Sequence, residues 1–219
     1  MRICVMIIAV VFSCNDSTQH IKYAEHSIRL FKDYFAHHGI EYHIITELPD
    51  IIKNAGVNPS WLKLFPHRIL PGYDYIIIWD LDLLPRTRDV KVLHEFNMDK
   101  LCLAWDTHAR NHSIATEGKG YLYFPSFKYN TGLIGVPQNY QPFLDSIIKY
   151  MHPMMPSYEQ YPLNEEIVKQ NINVHELPDD INSTLASSTF STARLQHYTC
   201  GDNPKSKIEE HVNRYFSQD

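Results

Sequence analysis

The sequence predicts an α/β fold: a mostly parallel central sheet with helices on its faces. Three observations lead there. A Val- and Ile-rich run, Ile3 to Phe12, is followed directly by an amphipathic stretch. A second strand candidate, Ile40-Glu41-Tyr42-His43-Ile44-Ile45, comes next, so strand, helix and strand fill about forty-five residues. Then Tyr75-Ile76-Ile77-Ile78-Trp79 is apolar at every position, as expected of a strand covered on both faces.

Each element has its own warrant. The opening segment MRICVMIIAVVFSC carries one basic residue and a small residue before Cys14, so it also resembles a weak signal peptide. It is too short to span a bilayer as a helix. We read it as the first strand, because amphipathic structure begins immediately after it. Asn15-Asp16-Ser17 offers helix-capping chemistry. Ile21, Ala24, Ile28, Phe31 and Phe35 then follow helical spacing, and Gly39 marks the stop. NAGVNPS reads as a loop, SWLKLFPHRIL as a short helix interrupted near Pro66, and PGYD as a turn. LCLAW and TGLIGV are further strands. Helices are expected over Tyr140–Tyr150 and Asn164–Lys169, with MHPMMPSYEQYP as the loop between them. Beyond Pro178 the pattern weakens until a polar helix over about Pro204–Phe216.

Length and composition bound the function. The 219 residues suit one domain, divided for function into a half covering about 1–105 and a half covering about 106–219. The formal charge of −5 and the lack of a basic block exclude a nucleic-acid-binding face. Cys4, Cys14, Cys102 and Cys200 are widely spaced and fit neither a zinc site nor a disulfide framework, so a reducing, cytoplasmic setting is expected. No segment reads as a membrane span; the chain reads as a cytoplasmic enzyme or one module of a longer polypeptide.

The chemistry concentrates after the all-apolar strand, where Asp80 and Asp82 flank Leu81. Ligands of open α/β sheets bind outside the carboxyl ends of the strands. Two carboxylates so close raise each other's pKa unless a cation lies between them. A hard divalent ion, with phosphate oxygens completing its shell, resolves the conflict. The ordinary alternative is an Asp-x-Asp turn in which short acids cap the backbone.

The order of five segments resembles glycosyltransferases of the GT-A fold, most closely the family 8 type that includes glycogenin and bacterial galactosyltransferases. They are YIIIWDLDLLP, the upstream WLKLFPHRIL, FKYNTGLIGV, LNEEIVKQ with HELPDDIN, and HYTCGDNPK. The resemblance implies a single GT-A, Rossmann-like nucleotide-diphospho-sugar transferase domain. It further implies a hexosyltransferase-type activity that moves a sugar from a UDP-sugar donor to an acceptor hydroxyl with retention. Asp80, Asp82 and His197 are its implied ligands to Mn²⁺ or Mg²⁺. Val10, Val11, Phe12 and Ser13 match the uracil-binding strand end. Lys63, Leu81, Gly201 and Lys205 are implied donor contacts, Asp106 and Asn130 hydrogen-bond partners of the donor sugar, and Glu165 or Glu166 acceptor contacts. The sequence departs from the family by carrying Glu165-Glu166 where Asp-Gln is expected, and by a glycine one residue late in HYTCGDNPK.

Ordinary structural uses compete for several of these residues. Lys63 is also readable as a solvated helix lysine, Asn130 as a turn residue, and Glu165-Glu166 as acids favouring a helix start. Two other functions compete with glycosyl transfer. A sugar nucleotidyltransferase needs a Gly-rich, basic loop after the first strand, and SCNDSTQH has neither Gly nor Lys. A carbohydrate-binding or assembly protein with a degenerate GT-A fold is opposed by the intact Asp80, Asp82 and His197.

Overall fold

The computed structural model describes residues 1–9, 17–106, 128–151, 159–185, 187–198 and 204–217. In the helices that begin at Ser17 and Pro204, side chains are described from Tyr23 and Ser206 onward. The strands are β1 (Ile3–Ile8), β2 (Tyr42–Ile45), β3 (Tyr75–Asp80), β4 (Leu83–Pro85), β5 (Cys102–Trp105), β6 (Tyr129–Pro137), β7 (His175–Leu177), β8 (Ser183–Thr184) and β9 (Leu195–His197). The α-helices are α1 (Ser17–His38), α2 (Asp50–Ala55), α3 (Pro66–Ile69), α4 (Gln141–Ile147), α5 (Gln160–Lys169) and α6 (Pro204–Phe216).

Six strands form the main sheet in the order β2-β1-β3-β6-β5-β7. Among the described strands of this sheet only β6 runs against the others: β3 and β5 pair with it antiparallel, while the β1–β2, β1–β3 and β5–β7 pairs are parallel. The mostly parallel sheet is therefore present, with one reversed strand at its centre. A second sheet, β4-β9-β8, draws β8 and β9 from the stretch beyond Pro178 where the sequence pattern is weak.

Alternation explains the unbroken apolar runs. Val5, Ile7, Ile77 and Trp79 pack in one core cluster with Leu30, Phe31 and Phe35 of α1 and Ile208 and Val212 of α6. Cys4, Met6, Ile76 and Ile78 pack in a second cluster with Trp61, Phe65, Leu144, Ile147 and Leu163. Each strand feeds both layers, so neither set of alternate positions is polar. Helix α1 stops where Gly39 takes a positive φ of 63°. The segment around Pro66 is a 3₁₀ helix, Pro59–Leu64, followed by the short α3 that begins at the proline itself.

Two boundary differences bear on the site. The first strand is seen over Ile3–Ile8, and its expected continuation to Phe12 leaves the described residues after Ala9. Helix α5 begins at Gln160, not Asn164, so the end of the supposed loop MHPMMPSYEQYP is helical. Pro162 lies in the first turn, where the missing N–H has no partner to lose. Cys4 and Cys102 are free and buried. No helix among the described residues is long and apolar enough to cross a membrane.

Candidate metal centre

Asp80 is the last residue of β3, and Asp82 follows after a tight turn around Leu81. The turn is tied to the core. Trp79 Nε1 donates to the Leu83 carbonyl at 2.6 Å, bridging it. The indole is held edge-on by Phe31 and Phe35, with ring centroids 5.9 and 5.5 Å away. Leu81 packs into the same cluster, so it anchors the turn from within while the two acids remain half-buried.

The second sheet delivers the third group. In the β4–β9 ladder Leu83 stands opposite His197, and the Tyr198 N–H donates to the Asp82 carbonyl at 2.9 Å. His197 Nε2 thereby lies 3.2 Å from Asp82 Oδ1. Asp80, Asp82 and His197 each offer a ligand atom, and these atoms all lie within 4.8 Å of one another. This mixed oxygen and nitrogen set fits a divalent cation.

The neighbouring charges show why a cation suits the place. Burial pushes the Asp80 carboxyl above the usual range and the adjacent Asp82 adds to this, while Lys63 and His197 pull the other way without prevailing. Burial disfavours the charged form of His197, yet the Asp82 and Asp80 carboxylates outweigh it and raise its pKa. Lys63 is buried as well, and Asp80 and Glu159 keep it charged despite the desolvation.

A chain of polar contacts runs on from there. Lys63 Nζ lies 2.7 Å from Asp80 Oδ2 and 3.3 Å from Glu159 Oε1. Thr131 Oγ1 donates to the same Glu159 oxygen at 2.7 Å, and the Thr131 N–H donates to Gln160 Oε1 at 3.1 Å. Gln160 Nε2 then donates to Asp106 Oδ2 at 2.9 Å. Glu159 is 1% exposed, and its Oε2 has no hydrogen-bond partner among the described residues. A buried carboxylate oxygen left unsatisfied is costly.

A bulge in β6 creates this geometry. Leu103 of β5 pairs with Ile134, but the next residue, Ala104, pairs with Asn130. Residues 131–133 are therefore excluded from the β5 ladder, and the N–H groups of Thr131 and Gly132 turn to the side chains of Gln160 and Asn130. Asn164 clamps α5 onto the start of β6. Its Oδ1 accepts from the N–H groups of Lys128 and Tyr129, and its Nδ2 donates to the carbonyls of Tyr129 and Gln160.

The structure thus brings Lys63, Asp80, Asp82, Asp106, Asn130 and His197 into one connected region. Glu165 is exposed, and Glu166 makes its contacts with Tyr150, Lys149, Lys169 and Gln170 instead. In their place, Glu159, Gln160 and Thr131 join the cluster, none of which the sequence reading singled out, together with Asn182, which closes the HELPDDIN segment. The acid-then-Gln pair was legible in YEQYPLN, but Pro162 had marked that stretch as loop. Val10, Val11, Phe12, Ser13 and Gly201, and the side chain of Lys205, lie outside the described residues.

By sequence, no protein-family model and no curated protein matches this chain. Solved structures do match its fold. A glycosyltransferase involved in glycosylation of the major capsid of PBCV-1 is 13% identical, with a TM-score of 0.59 over 96% of this chain and 99% of that one. The galactosyltransferase LgtC, solved with donor and acceptor sugar analogues, is 14% identical, with a TM-score of 0.60 over 99% of this chain and 96% of its own. A mutant of the Drosophila β-1,4-galactosyltransferase 7, solved with manganese, UDP-Gal and xylobiose, is 12% identical, with a TM-score of 0.50 over 94% of this chain and 74% of that one. The chain has the GT-A fold of these glycosyltransferases.

Proposed function

We propose that this protein is a metal-dependent glycosyltransferase that moves a sugar from a UDP-sugar to an acceptor hydroxyl, with retention of the donor's anomeric configuration. The observation that carries this reading is the Asp80–Asp82–His197 constellation at the carboxyl end of β3, with ligand atoms within 4.8 Å of one another in a GT-A fold. The half covering 1–105 supplies the acids, and the half covering 106–219 completes the site with His197.

Asp80, Asp82 and His197 would hold the ion, and the imidazole ligand favours Mn²⁺ over Mg²⁺. When bound, the ion supplies positive charge against the diphosphate leaving group as the sugar–oxygen bond breaks. The protein's own groups do the rest. Lys63 neutralises Asp80 and fixes its orientation at 2.7 Å. Glu159 offers its unsatisfied Oε2 to a donor-sugar hydroxyl, and Asp106 and Gln160 line the same polar chain. We assign the acid–Gln role of the family to Glu159-Gln160, because these two reach the cluster.

Thermal melting with Mn²⁺ and UDP tests the reading. The expected result is joint stabilisation that Asp82→Ala abolishes, and indifference of the wild type to both ligands overturns it. A response to Mg²⁺ with UTP and a sugar phosphate instead would favour the nucleotidyltransferase. Slow hydrolysis across a panel of UDP-sugars identifies the donor. NMR of the first-formed product decides retention, since opposite anomeric configuration removes it.

A further inference from the structure

The proposed metal centre has a feature its three ligands do not explain: a buried row of amides behind His197. Asn130, Asn182 and His197 are 8%, 1% and 3% exposed. The row begins at the bulge of β6, where the Gly132 N–H donates to Asn130 Oδ1 at 2.7 Å. A backbone N–H has no acceptor form, so this contact orients the Asn130 amide unambiguously. The same Asn130 oxygen lies 2.9 Å from the Asn182 amide, which must therefore present its Nδ2 donor. That choice turns Asn182 Oδ1 toward His197 Nδ1, 2.7 Å away. Facing an oxygen that can only accept, Nδ1 must carry hydrogen. Nε2 also faces an acceptor, Asp82 Oδ1, but at the longer distance of 3.2 Å, so in the neutral ring the 2.7 Å Asn182 contact keeps the hydrogen and the lone pair lies on Nε2.

Resting on the glycosyltransferase reading above, we propose that Gly132, Asn130 and Asn182 form a polar relay that selects the His197 tautomer with Nε2 free for the metal. Asn182 is the positioning residue of this relay. Assigning amide and imidazole orientations from a network needs one fixed end, and the bulge provides it. Outer partners of this kind set the tautomer and ring orientation of metal-binding histidines.

Packing supports the same assignment. A Cβ added at Gly132 would lie 2.4 Å from His197 Cε1 and 2.8 Å from both His197 Nδ1 and Asn130 Oδ1. The absence of a side chain there lets the imidazole and the first amide sit directly against the strand. Gly132 thus serves the relay twice, as the fixed donor and as the space the ring needs.

The experiment has two arms. The first is long-range ¹H–¹⁵N NMR on the metal-free wild type, at a pH alkaline enough for His197 to be neutral. Hydrogen on Nδ1 is the expected result, and hydrogen on Nε2 overturns the relay with no need of a variant. The second is Mn²⁺ affinity by electron paramagnetic resonance, for the wild type and for Asn182→Ala. A weakening of about 10- to 100-fold in a variant that still melts cooperatively is expected. An affinity within about twofold of wild type, where such partners matter 10-fold or more, overturns the positioning role. Asn182→Asp, which keeps an acceptor toward Nδ1, should recover part of the loss. If the wild type binds no Mn²⁺, the metal-holding reading falls and the relay loses its purpose, while the tautomer arm still reports its polarity separately.

Discussion

Two buried carboxylates, Glu159 and Glu166, sit about two helical turns apart at and within α5, and they have opposite fates. Both are 1% exposed and both have lysine partners. Glu166 is fully engaged. Tyr150 Oη donates to its Oε1 at 2.6 Å, Lys149 and Lys169 approach the same oxygen, and Gln170 donates to the other. The Tyr150 hydrogen bond leads in holding its carboxyl down at about 2, against the opposing effect of burial. Glu159 uses one oxygen for Thr131 and Lys63 and leaves the other without a partner among the described residues. A completed network stabilises the fold, whereas an incomplete one leaves an acceptor that the proposed donor sugar would satisfy. The helix thus carries a structural acid and a proposed binding acid on one short scaffold.

The largest effect expected lies on the open side of this contrast. Asp82→Ala should lower donor hydrolysis by at least about 100-fold in a steady-state assay, as for loss of one oriented charge-stabilising group. Its metal-free Tm should stay level or rise, because one of two adjacent carboxylates has gone. Glu159→Gln should also cost turnover, about 100-fold, with little change in melting. A large drop in Tm without loss of turnover would place Glu159 with Glu166 and dissolve the distinction.

The clamp and the closed network should behave the other way. Asn164→Ala leaves two backbone N–H groups and two carbonyls without their side-chain partner, and should cost about 3 kcal/mol in urea unfolding. It should also reduce turnover, since the clamp places Glu159 and Gln160. Glu166→Gln should cost about 2 kcal/mol, or about 4–8 °C in Tm, with kcat nearly unchanged.

The smallest effect sharpens the comparison by pH. The Glu166 carboxyl titrates near 2 in the fold instead of the ordinary 4.5. Its stabilisation is therefore fully present above about 4.5 and is lost as pH falls through about 2. Urea midpoints of wild type and Glu166→Gln should differ at neutral pH and converge across that acidic window. A constant gap would show that the charge of Glu166 is not what the network holds.

Much of this molecule was readable before the structure. The alternation hidden in Ile76-Ile77-Ile78-Trp79, the helix ending at Gly39 and the final helix from Pro204 all rest on local pattern, and all are present. The acid pair was legible because two like charges at a strand end are physically conspicuous. Glu159 and Gln160 stand in YEQYPLN and Asn182 closes HELPDDIN, but none could be placed at the site from the sequence, since each is a common polar residue whose meaning depends on what it faces. Pro162 hid the first two by reading as a loop breaker, although in the first turn of a helix it costs no hydrogen bond.

Local periodicity and the Asp80-Leu81-Asp82 spacing determined the layered α/β plan and the kind of ion such a strand end would suit. Those are properties of neighbouring residues. The reversal of β6, its bulge, and the meeting of His197 with Asp82 were decided by pairing between distant segments. Hydrogen bonds across a sheet depend on register, and register is set by the packing of the whole core.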